Sequence, residues 1–92
     1  MNKERRKRIA AAVQIIDVAK GQLEAAKENL ESELADEQDY YDNMPEAIQG
    51  SEKGDETQTR IDALQNAVDA LDSILEDSNW DEISPNTEEA TA

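Results

Sequence analysis

The sequence predicts an all-α protein: a two-helix antiparallel hairpin, with a short helical turn in its connection, assembling into a coiled-coil-like four-helix bundle. Three observations carry this expectation. Apolar residues recur at helical spacing in two long segments. Between those segments, residues 39–55 collect Pro45, two of the three glycines and both tyrosines, as a corner would. Aromatic residues make up only 3% of the chain, so a core must come from Ile, Leu, Val and Ala.

The first helix is expected from about residue 3 to about residue 38. Ile9, Ile16, Leu23 and Leu30 fall seven apart, and Val13 and Leu34 sit four residues after Ile9 and Leu30. Ala12, Ala19 and Ala26 flank them, so the stripe reads as alternating large and small residues that a partner helix can approach closely. Lys20 and Lys27 are placed on the other flank, their aliphatic stems over apolar surface. They are expected to pair along the helix with Glu24 and Glu31. Gly21 lies mid-helix, at a cost of roughly 1 kcal/mol relative to Ala.

The connection, residues 39–55, reads as a specified corner. Asn43 and Glu46 have capping-box spacing, with Pro45 in the first turn of a short helix that ends at Gln49. Pro45 drives Met44 towards extended backbone and so ends the first helix. Ile48 is available to pack inward and Gly50 to take a positive φ. Gly54 falls on the core-facing side, where two backbones can come close. Tyr40 or Tyr41 closes the end of the bundle.

The second helix is expected from about residue 55, or as early as Ser51, to about residue 77. Ile61, Leu64, Val68, Leu71 and Leu75 follow the 3-4-3-4 spacing of a seam, widened by Ala67 and Ile74. Asp62, Asp69 and Glu76 line the opposite face, with Asp72 beside them. Residues 78–92 read as an acidic tail, largely without fixed structure from Ser84 onward. Trp80 and Ile83 are its exceptions: they either dock against the end of the hairpin or form a short motif for a partner.

Composition excludes much chemistry. With no cysteine and no histidine, the chain has no thiolate nucleophile, no zinc-thiolate site and none of the commonest general base. Asp36, Glu37, Asp39 and Asp42 lack the glycine and terminal glutamate of an EF-hand loop and read as a solvated acidic patch. Carboxylates are abundant, but nothing marks one pair as desolvated. The chain is therefore expected not to be an enzyme, and to use no cofactor or metal. The longest apolar run, residues 9–13, is too short to span a bilayer, and a cytoplasmic location is expected.

The net charge of −14 is uneven. Residues 2–8 hold five cations against Glu4, a local sum of +4, and the rest of the chain therefore carries −18. Residues 1–8 read as a basic arm, solvated and continuing into the first helix. An arm this small on so acidic a body makes direct nucleic-acid binding a poor expectation. The acidic body suits a basic protein partner.

The corner also resembles a known sequence motif. Tyr41-Asp42-Asn43-Met44-Pro45-Glu46, followed by Gln49 and by Ser51-Glu52-Lys53-Gly54-Asp55, is similar to the inter-helix motif of small acidic helical proteins from phages and integrated mobile elements. The likeness extends over most of residues 5–77. It implies a bacterial cytoplasm as the setting and no particular chemistry.

Two sets of residues are the candidate sites. One is the apolar seam for self-association or a protein partner: Ile9, Val13, Ile16, Leu23, Leu30, Leu34, Ile61, Leu64, Val68, Leu71 and Leu75. The other is the corner, structural or a binding surface: Tyr40, Tyr41, Asn43, Met44, Pro45, Glu46, Gln49, Ser51, Glu52 and Gly54. The expected function is a non-enzymatic, oligomeric protein-interaction module. The alternatives are an acidic nucleic-acid mimic that inhibits a host defence enzyme, and sequestration of a small ligand at the corner.

Overall fold

A computed structural model describes residues 1–92. The protein is all-α and elongated, with principal extents of 70 × 17 × 14 Å. Its four helices are α1 (Lys3–Asp42), α2 (Glu46–Gln49), α3 (Glu52–Leu75) and α4 (Trp80–Thr91). α1 packs mainly against α3, and α4 packs against α1. Lys27 meets Asp72, while Glu37, further along α1, meets the earlier Arg60, so α1 and α3 run antiparallel.

Length explains why there are four helices and not two. At about 1.5 Å per residue, the 40 residues of α1 extend ~60 Å and the 24 of α3 only ~36 Å. The first turns of α1 would be left with a wet stripe of Ile9, Val13 and Ile16. α4 covers it, with Trp80 and Ile83 against Val13 and Ile16, and Thr87 and Thr91 facing Ile9 and Val13 across a groove. The tail from Ser84, expected to lack fixed structure, is thus helical. Pro85 removes one backbone donor inside α4. The side chains of Asn86, Thr87 and Thr91 donate back to the carbonyls of Glu82, Ile83 and Thr87 at 2.7–3.0 Å. Composition argued against a helix there, and packing on α1 outweighs it.

The break between α3 and α4 is short. α3 ends at Leu75, and the Asp77 carboxylate accepts the Asn79 amide at 2.8 Å. The Trp80 indole N–H donates to the Ile74 carbonyl at 2.5 Å, tying the start of α4 to the end of α3.

The core is thin. Ile61 and Val68 are the only buried large apolar residues, joined by Gly54 and Thr57. The other seam residues are half-buried. Half-buried positions in α1 recur at 9, 13, 16, 20, 23, 27, 30, 34, 37 and 41, an alternation of four and three, with Gln38 half-buried beside it. Lys20, Lys27 and Glu37 therefore lie in the seam itself. Lys20 and Lys27 make no ion pair with Glu24 and Glu31; they reach across to α4 and α3. Ala12, Ala19 and Ala26 are exposed, as are Ala67 and Ile74, so neither set widens the seam. No helix is long and apolar enough to cross a membrane.

Candidate interaction surface

The corner is held by its own residues. α1 runs to Asp42, beyond the expected end, because Asn43 closes it: its backbone N–H donates to the Asp39 carbonyl at 3.0 Å. Asn43 is thus a helix C-cap, and the capping box with Glu46 is absent. The residue preceding α2 is Pro45, which makes no side-chain cap. The Tyr41 carbonyl accepts from the Met44 amide at 3.0 Å and from the Gln49 side chain at 2.9 Å. Gln49 therefore turns inward, and Ile48 is exposed.

Gly50 has φ −84° and needs no left-handed backbone. Gly54 does require glycine, for steric reasons. A Cβ there would collide with the Gln49 carbonyl oxygen and lie 2.7 Å from the Ile48 carbonyl oxygen. The Ser51 hydroxyl donates to the Ile48 carbonyl. Beneath the turn, buried Thr57 donates to the Lys53 carbonyl at 2.8 Å.

Tyr40 remains outside, with the Lys53 ammonium 5.7 Å from its ring centroid. Hydrogen bonding to the Tyr40 side chain raises the Lys53 ammonium above its ordinary pKa. Of the corner residues, Tyr41, Gln49, Ser51 and Gly54 are committed to the turn. Met44 is half-buried, and Tyr40, Asn43, Pro45, Glu46 and Glu52 are exposed.

The seam residues lie between the chain's own helices, Ile61 and Val68 buried and the others half-buried. Leu34 lies beside Ile61 and Val68, and the α1 residues Val13 and Ile16 lie beside Trp80 and Ile83. The fully exposed surfaces of the rod lie elsewhere.

Charge is the strongest feature of those surfaces. Residues 24–77 hold 17 of the 23 carboxylates and 3 of the 9 cations, a balance of −14, while the rest of the chain is neutral in sum. The three cations are all engaged: Lys27 with Asp72, Lys53 with Tyr40, and Arg60 with Glu37 at 3.5 Å and Glu56 at 3.9 Å. The other 14 carboxylates of this half have no ion-pair partner. No group of three or more acidic side chains is arranged to hold a metal ion.

Lys20 and Lys27, expected on the flank of the stripe, lie in the seam itself, as does Glu37, for which apolar spacing gives no signal. The 4-3 alternation running through them was the available signal. No protein-family model, curated protein or solved structure matches the chain.

Proposed function

We propose that the chain is a non-catalytic protein-interaction module that offers the acidic half of its rod to a basic surface on a partner protein. The supporting observation is the segregation of charge. The second half of α1 and α3 lie side by side, and residues 24–77, which contain both, carry their net −14 over the ~36 Å of α3. Every cation in that half is already engaged, so the outward field is negative and steers basic partners at low salt. The fold serves this by placing two acidic helices in one narrow rod. Pairing of two rods into a four-helix bundle belongs to the same reading, since a two-helix layer buries little of its own surface.

A second reading, nucleic-acid mimicry, has a specific observation in its favour. One net charge falls about every 2.6 Å of acidic rod, against one per ~1.7 Å of duplex DNA. The resemblance of the corner to phage and mobile-element proteins fits such a role in a bacterial cytoplasm, against a host defence enzyme.

One titration tests both readings. The immobilised chain is exposed to purified non-specific DNA-binding proteins between ~50 and ~200 mM salt, with and without duplex competitor. Binding that falls steeply with salt supports the acidic-surface module. Displacement by duplex then selects mimicry, and indifference to duplex selects a separate protein site. Absence of binding at the lowest salt overturns both readings.

A further inference from the structure

α1 carries a second apolar face, distinct from the seam. Ile15 and Val18 are 70% and 51% exposed, two of the six large apolar residues the rod leaves outside. Ala12, Ala19 and Ala26 lie beside them and are exposed as well. The face is uncharged over residues 11–26, about 24 Å of helix. Asp17 and Glu24, seven apart, occupy the other flank of α1, and Lys20 is in the seam.

The charges at the two ends of this face say what covers it. Along one seven-residue column stand Arg5, Ala12, Ala19, Ala26 and Glu33, and Arg8 and Asp36 terminate the neighbouring column. All four terminal charges are exposed and none makes an ion pair. We infer that this face is where a second copy of the chain docks, antiparallel, with Ala19 opposite Ala19 across a two-fold axis.

In that arrangement Ala12 faces Ala26 and Arg5 faces Glu33, twice over by symmetry. Alanines let the two α1 helices approach closely, while Ile15 and Val18 leave water. A parallel pair would set Arg5 against Arg5 and Glu33 against Glu33. The antiparallel pair also sends the two acidic halves to opposite ends, where their mutual repulsion is least. A foreign apolar helix has no comparable reason to carry this reversed order of charges.

The inference rests on the self-association in the proposed reading, not on the basic partner. The experiment is sedimentation equilibrium of the full chain, together with Ile15→Lys and Val18→Glu. Both positions are exposed in the single rod, so these variants keep wild-type helicity by circular dichroism. The expected result is a wild-type dimer whose dissociation constant rises about tenfold or more in each variant.

Cross-linking reads the geometry, and the absence of native cysteine makes single cysteines clean probes. Mixed Ala12→Cys and Ala26→Cys chains are expected to form the 12–26 disulfide in preference to 12–12 or 26–26. Arg5→Glu with Arg8→Glu is expected to weaken the dimer, and adding Glu33→Arg with Asp36→Arg to restore it. A monomeric wild type overturns both the bundle and this inference. A dimer indifferent to Ile15→Lys and Val18→Glu, or one cross-linking 12 to 12, overturns this inference alone.

Discussion

The Lys27 ammonium, within the α1 seam, is paired with the Asp72 carboxylate of α3, and it is one of three polar seam residues that each meet a matching group. Lys20 stands over the Trp80 ring, 5.8 Å from its centroid, and Glu37 takes Arg60. A slip of one heptad between α1 and its partners would part Glu37 from Arg60 and leave either Asp72 or Trp80 without a lysine. Polar groups at seam positions cost stability and specify register. Lys27→Leu is therefore expected to raise the midpoint of thermal unfolding. Lys27→Glu, which sets like charges together, is expected to lower it; circular dichroism melts read both.

The same pair has a pH signature. Hydrogen bonding to Asp72, with the charges of Asp72, Glu31 and Glu76, raises the Lys27 pKa above the ordinary 10.5, against a smaller desolvation effect. The folded state thus holds the proton more tightly than the unfolded chain. Its contribution is fully present below the unfolded value of 10.5 and is lost as pH rises through the folded value. Wild-type protein is expected to lose more stability than Lys27→Leu on titration above that point, in paired melts.

Gly54→Ala is expected to be the most damaging single-methyl change in the corner. The added carbon meets backbone carbonyls of Gln49 and Ile48, which cannot rotate away as a side chain would. A loss of about 2 kcal/mol or more is expected in urea unfolding. Gly21→Ala is its control, since a Cβ there meets nothing within 4 Å and gains helix propensity.

Trp80→Ala is expected to release α4 and, with it, the first half of α1. The indole holds α4 to Ile74 and, with Ile83, lies against Val13 and Ile16, which α3 does not reach. Amide hydrogen exchange should quicken by tenfold or more (over about 1.4 kcal/mol of local stability) in residues 5–20, with α3 little changed.

Leu64→Asp with Leu71→Asp is expected to unfold the rod, because both leucines lie in the seam between α1 and α3. Pro45→Ala is expected to leave helicity nearly intact, since Pro45 is exposed and precedes α2 without capping it. Far-ultraviolet circular dichroism distinguishes the two outcomes.

Much of the fold was legible in the sequence because local and tertiary signals agree there. The apolar residues between α1 and α3 and the inward Gly54 followed from spacing, and the short α2 from Pro45. α4 was not legible. Ser84, Pro85, Asn86 and Thr87 oppose a helix locally, and only the excess length of α1 over α3 reveals that a cover is needed. The capping box failed because Asn43 was already serving the end of α1. Of the candidate sites, the apolar seam lies between the chain's own helices, with Ile61 and Val68 buried and its other residues half-buried. The outer face of α1 is not evident from spacing, because Ala12, Ala19 and Ala26 fit the flank of the seam equally well.

The arrangement of the rod also fixes an order of assembly. Tyr40 and Lys53 are 13 residues apart, whereas the first turns of α1 and the end of α4 are separated by nearly the whole chain. Closing the short span costs less chain entropy, so the two arms should zip outward from the corner. Substitutions around Gly54 would then slow folding, and those at Trp80 or Ile83 would mainly quicken unfolding. The end of the rod carrying the basic arm and the outer apolar face is thus the last to form and the first to open.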